Sequence, residues 1–159
     1  MNLITNKNTM NMRRTTIIIL TCLLTSIAAM AQNGLNINRL FDGRYKKATG
    51  ATEIIVTGVQ AREIGLTIYH SVSVTDKTQA EIIENLVVKD GVHAVDKEVE
   101  YRNGQLYYGF YTMASHKRSN RYIFFLNQNL ARKSPKNVVT LIYMEGEASA
   151  EQIKKLIRK

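Results

Sequence analysis

Residues 66–74 read LTIYHSVSV, and their alternation decides the fold. Leu66, Ile68, Val72 and Val74 fall on one side together with His70, while Thr67, Tyr69, Ser71 and Ser73 fall on the other. That is the period of a strand with one face buried. Just upstream, TEIIVTG (52–58) is rich in β-branched residues and reads as a second strand, joined to the first as a hairpin across the loop from Gly58 to Gly65. Downstream the period changes. Thr78 and Glu81 form a capping-box pattern, and Ile82, Ile83, Leu86, Val87, Ala94 and Val95 recur at spacings of three and four. An amphipathic helix from about Lys77 to Asp90 follows from that spacing, and passing Gly91 costs it only modest propensity.

Three more strands lie beyond: QLYYGFYTM (105–113), RYIFFLN (121–127) and NVVTLIYM (137–144). Each is apolar on both faces, the pattern of central strands with cover on both sides or with one aromatic face partly open. Ser149 and Gln152 then open a closing helix, with Ile153, Leu156 and Ile157 on one side and Lys154, Lys155, Arg158 and Lys159 on the other. The stretch GLNINRLFDGRYKK (34–47) is the least decided: Leu35, Ile37, Leu40 and Phe41 suit a short amphipathic helix stopped by Gly43, or an extended arm on the core. The order is ββαβββα. The economical architecture is α+β, a mainly antiparallel five-stranded sheet with the helices packed on one face.

At the other end, RRTTIIILTCLLTSIAAMAQ (13–32) joins a basic pair, an apolar run from Ile17 to Ile27 and the small-x-small motif Ala29-Met30-Ala31. These are the three parts of a secretory signal peptide. The run ends in polar Gln32-Asn33-Gly34 before reaching the roughly 20 apolar residues that a bilayer span needs. Cleavage between Ala31 and Gln32 is therefore expected, giving a signal peptide over 1–31 and one globular α+β domain over 32–159. An uncleaved anchor is the rival. A lipoprotein at Cys22 is disfavoured because Ile19-Leu20-Thr21 lacks the small residue expected before a lipidated cysteine. Translation can start at Met1, Met10 or Met12. The expected location is the periplasm or the outer-membrane surface, with release from the cell as the alternative.

Cleavage removes Lys7, Arg13 and Arg14 with no acid, so the formal charge falls by three from +9 to +6, and it removes the only cysteine. Neither a disulfide nor thiol chemistry is then open to the mature chain, and packing alone must hold it. One domain of this size buries close to two-thirds of its unfolded surface. The chain shows no repeat or low-complexity tract and has a single proline, Pro135, so nothing marks an internal boundary.

No constellation points to a reaction. His70, His93 and His116 are the only histidines, and none has a partner at a recognised ligand or catalytic spacing. His70 reads as a satisfied core or rim histidine. Phosphate loop, nucleophile elbow and nucleophilic cysteine are all missing from the mature sequence. Asp96, Glu98 and Glu100 would line one face of an extended segment, yet they lack the glycine turn and terminal glutamate of a calcium loop and read as a solvated edge. Tyr108-Gly109-Phe110 echoes the centre of an RNA-binding pattern, but Leu106-Tyr107 stands where a basic residue and glycine belong, and Met113 where an aromatic does. Nucleic acid is not an expected partner, nor is any cofactor or metal.

Seven of the twelve aromatic residues lie between Tyr107 and Phe125, more than a one-sided cover can hide. Tyr107, Tyr111 and Phe125 are thus candidates for a binding face, unless the 34–47 arm covers it. Lys117, Arg118 and Arg121, with Arg132, Lys133 and Lys136, are possible anion contacts. In a three-strand meander, however, the two groups fall at opposite ends of the strand 121–127, which favours two solvated turns.

Taken together, LFDGRYKK, LYYGFYTM, NRYIFFLN, TLIYMEG and EQIKKLI resemble a family of small exported Bacteroidota proteins of unknown function, from about Gly34 to the C-terminus. The resemblance implies a single secreted α+β domain and carries no catalytic residue or cofactor. The expectation is a non-catalytic envelope module that binds or modulates an unknown protein or ligand, without a membrane span after cleavage. An enzyme of unrecognised type, or a membrane-surface protein using the basic closing helix, are the alternatives.

Overall fold

The structure, a computed structural model, describes residues 34–133 and 135–157. The signal peptide expected over 1–31, its expected Ala31/Gln32 cleavage junction, and Arg158 and Lys159 lie outside the described residues. A 3-10 turn over Asn36–Leu40 leads into strand β1 (Ala51–Thr57), the short helix α1 (Gly58–Arg62) and strand β2 (Leu66–Val74). Helix α2 (Lys77–Gly91) carries the chain to β3 (Asp96–Arg102), β4 (Gln105–His116), β5 (Ser119–Asn127) and β6 (Val139–Gly146), and α3 (Ala150–Ile157) closes the fold.

The sheet has the order β1-β2-β6-β5-β4-β3, and every neighbouring pair is antiparallel. The expected hairpin β1–β2 and meander β4–β5–β6 are both present. The sheet has six strands, not five. The extra one is β3, DKEVEYR, whose period-2 pattern is carried by charges and not by apolar residues. It is an edge strand, and an edge needs no second buried face.

The helices do not share a face. Ile153 of α3 is buried in one cluster with Phe110, Tyr122, Phe124, Ile142 and Met144. Gly91 of α2 instead lies against Tyr111. Phe110 and Tyr111 are consecutive on one strand, so they project to opposite sides of the sheet. The physical reason is the two-sided apolar character of β4, β5 and β6, which one helical layer cannot cover. Helix α2 is joined on its side by the 34–47 arm, whose Ile37, Leu40 and Tyr45 are buried.

Two local devices set this packing. Asp90, near the end of α2, accepts the backbone N–H groups of Asn36 and Ile37 at 2.7 and 2.9 Å and the Asn36 side-chain amide at 2.8 Å. It thereby satisfies the free donors at the start of the 3-10 turn. The second device is a bulge in β2: the pairing to β6 shifts between Leu66 and Ile68. Leu66 therefore leaves the side of Ile68 and Val72 and joins the α3 cluster. Gly146 permits this approach, because a Cβ there would stand 2.5 Å from the Leu66 Cα.

The helix starts divide. Asp76, not Thr78, caps α2, accepting the Gln79 N–H at 2.8 Å. At α3 the expected box forms: Ser149 N–H donates to Gln152 Oε1 at 2.7 Å and Gln152 N–H to Ser149 Oγ at 3.3 Å. Among the described residues no helix is long and apolar enough to cross a membrane.

Candidate functional site

Helix α3 has eight residues, about 12 Å of length, and it cannot roof a face that extends over β2, β6, β5 and β4. Beside it runs an open groove of about 370 Å³, floored by Tyr69, Phe124, Ile142 and Met144 and walled by Ile64 and Leu156. Ile64 and Leu156 are 39% and 41% exposed. On the far side of Ile157 a second hollow of about 190 Å³ reaches Tyr108, Phe124 and Lys154. The aromatic rings are fixed by one another: Tyr108 meets Phe124 edge-on with centroids 5.7 Å apart, and Phe110 stacks with Tyr122 at 5.7 Å. Phe110, Tyr122 and Phe124 are buried, and they hold the partly exposed rings of Tyr108 and Tyr69 on a rigid base, which suits apolar recognition at low entropic cost.

The polar groups near this groove are few and mostly engaged. Thr140 Oγ1 and Ser73 Oγ share a hydrogen bond of 3.0 Å. Lys154 pairs with Glu98, which holds its ammonium above the ordinary lysine value, and sits 5.0 Å from the Phe110 centroid. Burial raises the Tyr69 phenol. Nothing in this lining combines a nucleophile with a base.

A second cluster lies under the arm on the opposite face. His70 Nε2 and Glu53 Oε1 are 2.8 Å apart, with the two side chains 3% and 0% exposed. The Phe41 ring covers the imidazole with centroids 4.1 Å apart. Desolvation pushes the His70 pKa below its ordinary value, and the hydrogen bond and charge of Glu53 oppose that shift. Next to it, the Tyr143 hydroxyl donates to Glu145 Oε2 at 2.6 Å, and burial with this contact raises the phenol far above its usual range. These are acid–base groups, but in this conformation a substrate does not reach them.

The residues singled out from sequence are dispersed. Tyr111 and Phe125 are 2% and 0% exposed and belong to the core beneath α2. Tyr107 is half-buried, with the Arg102 guanidinium 3.2 Å above its ring. Lys117 and Arg118 form the β4–β5 turn and Arg121 sits in β5, where its Nε donates to the Ala114 carbonyl at 2.8 Å. Arg132, Lys133 and Lys136 lie in the β5–β6 loop, a full nine-residue strand away. That strand is about 30 Å long, so the two basic groups do not meet on one anion. Of the other histidines, His93 is exposed just past α2 and His116 ends β4. Glu98 and Glu100 are taken up by Lys154 and by Arg102, the latter at 2.8 Å. Among the described residues no group of three potential metal ligands occurs.

Sequence reasoning found neither Ile64 nor Leu156 as groove walls, nor the Glu53 partner of His70. The one local signal was Tyr69, a bulky ring on the hydroxyl-lined side of its strand.

A protein-family model described as "Family of unknown function (DUF6108)" matches residues 24–157, and the chain belongs to that family. Neither a curated protein nor a solved structure matches it.

Proposed function

We propose that this chain is a non-catalytic binding or modulating module of the cell envelope, acting after export, and that the open aromatic sheet face beside α3 is its contact surface. The supporting observation is the groove itself: aromatic floor, exposed Ile64 and Leu156 walls, and no acid–base pair in the lining. An apolar, preformed concavity with few polar groups is the usual form of a binding site. The occupant is an apolar ligand or the apolar side chains of an envelope partner.

The test is retention of envelope components by the immobilised chain, compared with Ile64→Lys and Leu156→Lys. Both positions are substantially exposed, so the variants keep the wild-type melting curve while losing the captured species. Capture unchanged in both variants would sink the reading. The other reading, an enzyme acting on an envelope substrate, draws on the His70–Glu53 pair; turnover abolished by His70→Gln in a folded protein would favour it instead.

A further inference from the structure

The two edges of the sheet are built in opposite ways. On β3, Asp96, Glu98 and Glu100 share one face and are exposed. If two β3 strands met antiparallel about a two-fold axis perpendicular to the sheet, each residue would keep its face, so residues of equal parity would pair. Centring such a pair on residue 97, 98 or 99 sets acid against acid each time, which is destabilising. This edge disfavours its own copy, an effect that the ion pairs of Glu98 with Lys154 and Glu100 with Arg102 weaken but do not reverse in sign at Asp96.

At the other end, β1 reads ATEIIVT, and among the described residues nothing pairs with its outer side. It carries none of the lysines or prolines that usually blunt an edge. Its single charge, Glu53, points inward and is already fully buried against His70, so a further strand would strip no additional water from it. Ile54 and Ile55 are 48% and 40% exposed, one on each face.

We propose that β1 is a self-association edge: two copies of this chain pair through it, antiparallel, with Ile54 opposite Ile54 of the partner subunit. This register matches Ala51 with Thr57, Thr52 with Val56, and Glu53 with Ile55 on both sides of the axis, so the whole strand is used. No acid faces an acid and no base faces a base. The next pair outward on each side is Gly50 with Gly58, and these are the residues where the chain leaves the strand, with φ of 72° and 69°. The strand ends therefore coincide, and the two sheets become continuous. Ile54 is covered by its own counterpart, and Ile55 comes to lie across from the backbone of Glu53, whose side chain is already buried. The inference draws on the β1 edge and not on the groove, although Ile54 and Val56 share the sheet face on which the groove lies.

Sedimentation of the full chain and single-cysteine cross-linking in a Cys22→Ser background test it together. A dimer of twice the chain mass is expected, and Ile54→Lys halves that mass while leaving the far-ultraviolet circular dichroism spectrum in place, because the side chain is half exposed. On mild oxidation Ile54→Cys links to itself. Thr52→Cys and Val56→Cys link only when mixed, since a disulfide needs Cβ atoms about 4 Å apart. A chain that stays monomeric at every concentration, an Ile54→Lys variant that still dimerises, or self-linking of Val56→Cys in place of Ile54→Cys would each overturn the proposal.

Discussion

Gly91, in the last turn of α2, lies so close to Tyr111 on β4 that a Cβ at position 91 would stand 2.4 Å from the tyrosine Cε1. Gly109, two residues before Tyr111 on the same strand, meets the other side of the ring, where a Cβ would be 2.6 Å from Cε2. The ring is thus wedged between two glycines. Alanine is the better helix former by roughly 1 kcal/mol, but overpacking a filled core costs about 1–3 kcal/mol, and the second effect should win. Gly91→Ala is expected to lower the urea midpoint, and adding Tyr111→Leu should recover part of that loss in a double-mutant cycle. Additive effects would show that the ring is not the obstacle.

Phe125 tests whether the strand aromatics beneath α2 are core. It is fully buried. Phe125→Ala should therefore cost about 3–5 kcal/mol in chemical denaturation, the range of a large cavity. A loss below about 1 kcal/mol would mean the α2 face opens readily enough for Phe125 to serve as a contact.

Asp90 ties the arm to α2 through three hydrogen bonds to Asn36 and Ile37. Hydrogen bonds to a charged group contribute about 1.5–3 kcal/mol, and an amide in place of the carboxylate turns one acceptor into a donor facing a donor. Asp90→Asn should speed amide exchange and proteolysis over residues 34–47 while α2 stays protected. Equal exchange in the two proteins would place the arm's anchorage elsewhere, at the 2.9 Å bond from Tyr45 to Gln79 or at Phe41.

His70 couples folding to pH. Its folded pKa is depressed from the ordinary 6.5, chiefly by desolvation, so below that value the unfolded chain holds more protons at this site. The stabilisation is present above the unfolded pKa and is lost as pH falls through the folded one. Urea midpoints measured between pH 8 and pH 5 should fall further in the wild type than in His70→Gln. Parallel curves would show that the imidazole contributes nothing to the acid limb.

The β4–β5 turn places Lys117 and Arg118 at φ of 46° and 69°, in the left-handed region that L-residues other than Asn and Asp seldom adopt. Asn-Gly is the pair favoured in a two-residue hairpin turn of this kind. Lys117→Asn with Arg118→Gly should stabilise the protein by about 1 kcal/mol, or a few degrees in Tm. If the pair contacts an anion, the same change weakens that binding, which a titration with inorganic phosphate checks.

Short-range pattern was enough for most of the elements, though not for the short helix α1, which lies inside the segment from Gly58 to Gly65 read as a loop. The alternation in LTIYHSVSV, the three-and-four spacing after Lys77, and the Ser149–Gln152 box each depend on backbone geometry that repeats within a few residues. The β3 strand was legible as an extended charged edge but not as a sixth strand, because its period is carried by groups that packing does not need. The two-layer cover, the bulge that moves Leu66 across the sheet, and the pairing of Glu53 with His70 were decided only in three dimensions. So was the bond from Asp90 to the backbone of Ile37, 53 residues earlier. Those contacts join positions far apart in the chain, and an apolar or charged face records that it will be covered or paired without recording by what. The groove beside α3 has the same origin: it exists because a helix of fixed length meets a sheet wider than itself, a relation that no single segment contains.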